Sequence, residues 1–498
     1  MPFDTIFSWI IKKRIDQIKQ FTNNPIQAQQ TVFTTLLDKA KNTEIGKSHG
    51  FAGVSNFNEF KQNTPIRTYE DLFPFIEKSM KGQENILWPG KIQWFSKSSG
   101  TTDAKSKLIP VTQEAIQDCH YKGGKDLLSI YYHNNPNAKL FSGKHLILGG
   151  NTSLNKLNEN SYFGDLSAII VKNLPFWAEI RRTPNREITL MENWDEKIVK
   201  MAKAALKEDV KIIAGVPSWM LVLLNKILEV SEGKTINQIW PNLELYMHGG
   251  VNFDPYKNQF DSIINSAKLN YYQTYNASEG FFSLQNENKA DDMLLMLDYG
   301  IFYEFIPMDK FNGTNSETIE LEQVELNKNY ALVISTNGGL WRYLIGDTIK
   351  FTSLSPFKIK VTGRTKHFIN AFGEELIIEN TDIAIKLACE QTESAFKEYT
   401  VAPKYIDGTK KGAHQWLIEF SKAPQDINRF LKILDNKIQE LNSDYEAKRK
   451  MVLSLPEVMI VDDGTFNKWL KSKDKLGGQN KIPRLSNNRT FIEEILQN

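Results

Sequence analysis

The spacing of apolar residues opens on a helix. Phe7, Ile11, Ile15 and Ile18 recur at three- and four-residue intervals in MPFDTIFSWIIKKRIDQIKQF, the period of one buried helical face. Lys12, Lys13, Arg14 and Asp16 interrupt the run, so the stretch predicts an amphipathic packing helix and not a signal-peptide core. Further on, helical stretches such as Ile198 to Leu206 alternate with short apolar runs: HLILGG (145–150), KIIAG (211–215), LELYMHGG (243–250), LNYYQTY (269–275) and ALVIST (331–336). Strands apolar on both faces are covered on both faces, so the pattern predicts an α/β body of sheets covered by helices, with substrate groups at strand ends.

After IKVTGRTKHF (359–368) the pattern changes. A helix over about 375–393, strands near EYTVAP and HQWLIEF, a long helix over about 425–448, EVMIV and a final helical stretch predict a small α+β domain. The expected division is a large N-terminal domain over 1–362 and a small C-terminal domain over 363–498, with a hinge near 363–368.

Composition narrows the function classes. A chain of 498 residues has room for two or three domains and a sizeable buried site. Its 61 Lys and Arg are interspersed with 59 Asp and Glu, which leaves no basic footprint for nucleic acid. The longest apolar run, Ile212 to Leu224, contains Pro217 and Ser218 and is too short to span a bilayer. Cys119 and Cys389 are the only cysteines, so neither a disulfide framework nor a structural zinc site is available. The expectation is a cytoplasmic protein, monomeric or weakly oligomeric, without a membrane or nucleic-acid partner.

Four stretches carry candidate chemistry. SKSSGTTDAKSKLIPVT (96–112) follows a predicted strand and precedes a predicted helix that Thr112 can cap. Its short hydroxyl side chains leave backbone N–H groups open and its lysines bring positive charge, which suits a phosphate; the same residues also make any surface turn. No GxxxxGK[ST] occurs, so this is not a P-loop. In YYQTYNASEGFF (271–282), Tyr275 can stack on a base and Glu279 offers hard oxygen to Mg²⁺, while the plainer reading places Ser278 and Glu279 in the first turn of a helix. In NGGLWRYLIGDTIKF (337–351), Asp347 is placed to accept ribose hydroxyls or simply to close a β-turn. LGGQNKIPRL (476–485) is a glycine-rich turn with Lys481 at its centre.

Taken in order, these stretches resemble the acyl-adenylate-forming superfamily of firefly luciferase and the acyl-CoA synthetases. Within it the closer resemblance is to the acyl acid amido synthetases, which in plants join jasmonate or auxin to amino acids. SSGTTDAKSKLIP, FYEFIPM (302–308), YNASE and GLWRYLIGD carry it, with GGQNKIPR similar to the family's Gln-Tyr-Lys-Thr-Pro-Arg. The resemblance spans nearly the whole chain. It implies a large domain of sheets and helices and a small C-terminal domain that swings over the cleft between two half-reactions.

The resemblance also assigns roles. Ser98, Ser99, Thr101, Thr102 and Lys107, around Gly100, would cradle the β- and γ-phosphates of ATP. Tyr275 would stack on adenine beside Gly249, Gly250 and Ser278, Glu279 would hold Mg²⁺, Asp347 the ribose hydroxyls, and Arg364 would help fix the nucleotide. Lys481 would enter from the small domain for adenylation. Two departures stand out: Ala104 replaces a glycine of the phosphate loop, and Trp341 and Leu344 replace the plant Tyr and Arg before Gly346-Asp347.

The implied reaction joins a small-molecule carboxylic acid to an amino acid through an acyl-adenylate, releasing pyrophosphate and AMP. A CoA ligase shares the first half, and a catalytically idle nucleotide-binding protein shares only the site. Tyr131, Phe176, Trp177, Val216 and Trp219 are candidates for the acyl pocket, with plain core packing the alternative for each. Amide formation also needs a base. The sequence names none, although His248 stands beside the GGV turn.

Overall fold

The computed structural model describes residues 3–101, 104–149, 154–174, 176–191, 193–266, 268–365, 368–408, 410–472 and 482–497. The first helix, Phe3–Asn23, is followed by Pro25–Ala40, which Pro25 starts because its fixed φ suits a first helical position. Ile15 and Ile18 are buried, as their period predicts. Arg14 is buried as well, since Asp126 and Asp298 bind its guanidinium at 2.6 and 2.7 Å and replace the water it loses.

Among the described residues, eleven strands form one mixed sheet. Arg182–Thr183, Lys144–Leu148, Val210–Gly215, Leu245–Gly249 and Asn270–Ala277 run parallel. Beyond Asn270–Ala277 the sheet is antiparallel, through Gly280–Leu284, Met293–Leu295, Phe357–Arg364, Tyr343–Leu354, Asn329–Thr336 and Ile301–Pro307. All five strands expected from apolar runs are present. The two halves meet at Asn270–Ala277, and the carboxyl end of such a strand is where α/β sheets take ligands. A second sheet, ordered Ala104–Val111, Trp94–Thr101, Ser161–Gly164 and Asn155–Asn158, lies over that end.

The smaller C-terminal domain contains Ala395–Lys404, Ala413–Lys422 and Glu457–Val461, the last two parallel, with helix Ile378–Gln391 before them. The expected long helix over 425–448 is two helices, Ile427–Leu441 and Ser443–Met451. Asn442 separates them in extended conformation, and its Oδ1 accepts from the N–H groups of Asp444 and Tyr445 at 3.0 and 2.8 Å. Capping of this kind competes with helix continuation, and an apolar period does not register it. One apolar cluster crosses the expected boundary, with Trp219 and Tyr256 packed among Phe372, Trp416 and Leu434. Among the described residues, no helix is long and apolar enough to cross a membrane.

Candidate active site

The hydroxyl-rich stretch is a hairpin, not a turn running into a helix. Trp94–Thr101 pairs antiparallel with Ala104–Val111, Ser98 opposite Lys107 and Thr101 opposite Ala104. Ser and Thr adopt extended backbone readily, and Ile109 and Val111 anchor the returning strand in the core. Ala104 is therefore on a strand, where an L side chain carries no penalty, and the missing glycine has no backbone cost in this conformation. Thr102 lies outside the described residues, as do the side chains of Ser99 and Thr101. Thr112 caps the next helical segment as expected, accepting from Ala115 N at 3.0 Å and donating to Asn337 O at 2.7 Å.

Ser278 and Glu279 do not begin a helix. They form the tight turn between Asn270–Ala277 and Gly280–Leu284, because both flanking runs carry strand-forming aromatics. Ser278 Oγ meets Ser96 Oγ at 2.8 Å, which ties this turn to the Trp94–Thr101 strand. Glu279 is half-buried, and burial pushes its carboxyl up to about 7 against the opposing pull of the Lys107 ammonium. Lys107, whose ammonium lies 5.9 Å from the centre of the Tyr69 ring, is lowered by the same loss of water and supported by the Glu279 charge. The two charges thus act on each other, with Lys107 opposite Ser98 in the strand pair.

Asp347 is not in a turn. It lies within Tyr343–Leu354, where the ladder shifts between Ala331/Thr348 and Val333/Leu344, leaving residues 345–347 as a bulge. Gly346 makes the bulge possible with φ of 92°, and the bulge re-aims Asp347 out of the regular ladder. Its partner across the next strand is Arg364, whose Nε donates to Oδ1 at 2.8 Å. Tyr275 donates its hydroxyl to Oδ2 at 2.5 Å. Two donors fix the carboxylate and leave one lone pair on each oxygen for further hydroxyls. Tyr275 therefore positions Asp347, and its own ring is buried with its centre 4.7 Å from that of Phe282. Gly249 is required by close approach: a Cβ there would meet Thr274 O at 2.4 Å. Gly250 has φ of 84°, a left-handed conformation that favours glycine.

Ser98, Gly250, Tyr275, Ser278, Glu279, Asp347 and Arg364 line one cavity of about 1070 Å³. Val216 lies beside it, 3.5 Å from the position of a Cβ on Gly250. Two acyl-pocket candidates are corrected. Tyr131 is fully buried, with its hydroxyl bound to Glu244 and Asn270 at the opposite end of the strands from Tyr275. Trp219 is a core residue that donates Nε1 to Phe372 O at 3.1 Å. The side chains of Phe176 and Trp177, and the whole of Lys481, lie outside the described residues. His248 faces the cavity, but its ring stacks 4.1 Å from Phe253 and burial lowers its pKa to about 3.

The cavity also contains groups that sequence reasoning missed: Lys97, Asn370, Glu375, Asp444 and Asn487. Lys97 sits inside the hydroxyl-rich stretch and was legible there. Asp444 lies in SDYEAKRK, which reads as an ordinary surface helix. Trp341, by contrast, turns away, donating to Leu87 O at 3.1 Å, and Arg342 of the same motif is buried against Glu304 of FYEFIPM at 2.8 Å. These two motifs are joined as core structure.

Glu279 fits a magnesium ion on its own terms: a half-buried carboxylate with no side-chain donor bound to it among the described residues. No group of three or more ligating side chains occurs among the described residues.

Residues 14–269, 294–364 and 379–490 match the GH3 family N-terminal, central and C-terminal domains in turn. A jasmonoyl–L-amino acid synthetase of Nicotiana attenuata, JAR6, is 21% identical over 95% of this chain and 93% of its own length. The indole-3-acetic acid-amido synthetase GH3.4 of Arabidopsis thaliana is 24% identical over 95% of this chain and 91% of its own. Among solved structures, the AtGH3.15 acyl acid amido synthetase in complex with 2,4-DB superposes with a TM-score of 0.63 at 17% identity, covering 98% of this chain and 96% of the other. A 2-hydroxyisobutyryl-CoA ligase bound to 2-HIB-AMP and CoA gives a TM-score of 0.58 at 12% identity, covering 97% and 92%. Both share the fold of a large domain of sheets and helices with a smaller C-terminal domain.

Proposed function

The chain belongs to the GH3 family, and we propose that it is an ATP-dependent ligase that joins a carboxylic acid to an amino acid through an acyl-adenylate. The observation that carries this reading is the convergence of Glu279, the Asp347–Arg364–Tyr275 cluster and the Ser98 strand on one cavity, with Lys107 facing Glu279. A carboxylate resists amines because its leaving group would be oxide; adenylation replaces oxide with AMP. Asp347 would take the ribose hydroxyls on its free lone pairs. Lys107 and the backbone of the hairpin would neutralise phosphoryl charge, with Arg364 holding Asp347 in place. Magnesium held at Glu279 would supply further neutralisation of the phosphate oxygens.

The division at 363–368 and a swing of residues 363–498 between half-reactions belong to the same proposal, with Lys481 entering for adenylation. Amide formation then needs the amine on the acyl carbonyl and a base for its proton. The test is pyrophosphate release from Mg·ATP across aromatic, indole and fatty carboxylic acids, each alone, with mixed amino acids, or with CoA. Release that accelerates with an amino acid, with an amide as product, is the expected outcome. Acceleration by CoA alone, with a thioester as product, would make it a CoA ligase; ATP binding without release under any condition would leave a nucleotide-binding protein.

A further inference from the structure

The geometry points to Asp444 as the base of amide formation, the carboxylate that takes a proton from the attacking amine; this rests on the ligase reading above. Asp444 stands in the first turn of Ser443–Met451, a helix of the C-terminal domain that rests against the Trp94–Thr101 strand. It lines the same cavity as Glu279, Asp347 and Tyr275. Its backbone N–H is held by Asn442 Oδ1 at 3.0 Å, yet among the described residues no group donates a hydrogen bond to its carboxylate. A half-buried carboxylate that borders the cavity without a protein donor is open to a ligand there.

The other acidic groups of the cavity are paired, turned to the hairpin or open to solvent. Asp347 is bound by Tyr275 and Arg364, and Glu375 pairs with Arg364 at 3.2 Å. Glu279 faces Lys107, at the phosphate hairpin. Asp254 and Asp291 are exposed at the rim. His248 is too weak a base, for the burial described above. Four charged groups act on Asp444 from the elements around it: Lys448 one turn along its own helix, Lys97 on the phosphate strand, Asp165 at the head of Leu166–Lys172, and Glu375. Lys448 does not neutralise it by contact, because its ammonium lies over the Trp219 ring at 4.5 Å. Burial pushes the Asp444 carboxyl up to about 7, where a carboxylate is a useful base at neutral pH. Glu375 acts on both Glu279 and Asp444, so the cavity has a phosphate pole and an acceptor pole with Glu375 between them.

The step balances. A neutral amine forms the C–N bond at the acyl carbon, the C–O bond to AMP breaks with its electron pair on the phosphate oxygen, and one N–H proton passes to Asp444, which returns it to solvent.

The experiment separates the half-reactions in Asp444→Asn and Asp444→Glu. Acid-dependent ATP–pyrophosphate exchange and trapping of the adenylate by hydroxylamine report the first half; amide formed with an amino acid reports the second. Asp444→Asn is expected to slow amide formation on the order of 10²-fold or more while exchange and hydroxamate stay within a few-fold. The wild-type amide rate should climb through about pH 7, a limb absent in Asp444→Asn and restored by Asp444→Glu. Amide formation by Asp444→Asn at the wild-type rate with that limb intact would overturn the assignment. So would a parallel fall of exchange, hydroxamate and amide in both variants, which marks a structural role. Absence of exchange in the wild-type protein with every acid would instead sink the ligase reading, and this assignment with it.

Discussion

Glu279 shows how much a single position reveals and conceals. The resemblance of YNASE makes it the expected carboxylate of a nucleotide site, but does not tell that folding half-buries it near Lys107 with its proton held up to about 7. The sign of the consequence is fixed by linkage. The folded chain keeps this proton between about 4.5 and 7 while the unfolded chain has lost it, so the contribution to stability falls as pH rises across that window. Glu279→Gln removes the cost of a buried charge and should raise the melting temperature at pH 8, by an increment that shrinks as pH is lowered towards 4.5. If Glu279 holds the metal as proposed, the same substitution should reduce acid-dependent pyrophosphate release on the order of 10²-fold or more. Thermal melts and a pyrophosphate assay on one preparation check both, and a variant that is destabilised at pH 8 would show that the carboxylate is not held against its charge. Asp444, which titrates in a similar range, was not legible because nothing in the spacing of SDYEAKRK distinguishes it from a solvated helical face.

At the scale of elements, strands were read well, most plainly where a short apolar run is buried on both faces. Val210–Gly215 and Asn329–Thr336 are the clearest cases. The failures were polar. The segment Ser98 to Thr101 reads as a turn by composition, but the register with Ala104–Val111 makes it a strand, and a ladder is a non-local partner that composition does not encode. The bulge at Asp347 was hidden for the same reason. The long helix over 425–448 failed at Asn442, whose side chain caps Ser443–Met451 and also donates to Glu375 O at 3.1 Å and Asn380 Oδ1 at 3.3 Å. Asn442 thereby sets the placement of both Asp444 and Glu375. Asn442→Ala should cost about 1–2 kcal/mol, the worth of an N-cap, measured by urea unfolding. Its effect on amide formation should exceed its effect on pyrophosphate exchange, because the element it releases carries the acceptor pole. Equal losses in the two half-reactions would show that the cap serves stability alone.

At the scale of the molecule, the sequence marked a change of pattern near 363 but not how the two parts meet. They share apolar packing around Trp219, Tyr256 and Phe372, and hydrogen bonds cross between them: Tyr256 to Ala371 O at 2.5 Å, Gln259 to Ile406 O at 2.7 Å and Asn225 to Gly408 O at 2.8 Å. In this arrangement Asp444 borders the cavity. If the small domain must leave this position for adenylation and return for amide formation, holding it here should stop the cycle after one pass. Cysteines introduced at Asn225, which makes the contact to Gly408, and at Asp407 beside it offer sites for a short cleavable cross-linker. The native Cys119 and Cys389 are both buried, so the reagent is directed to the new pair. The cross-linked enzyme should convert a supplied acyl-adenylate to amide at near the uncross-linked rate, while turnover from free acid and ATP falls tenfold or more, on the order expected when a gating motion is blocked. Cleaving the linker should restore turnover. Full turnover with the linker in place would mean that both half-reactions run in the arrangement described, and that the packing across residue 363 is a fixed interface.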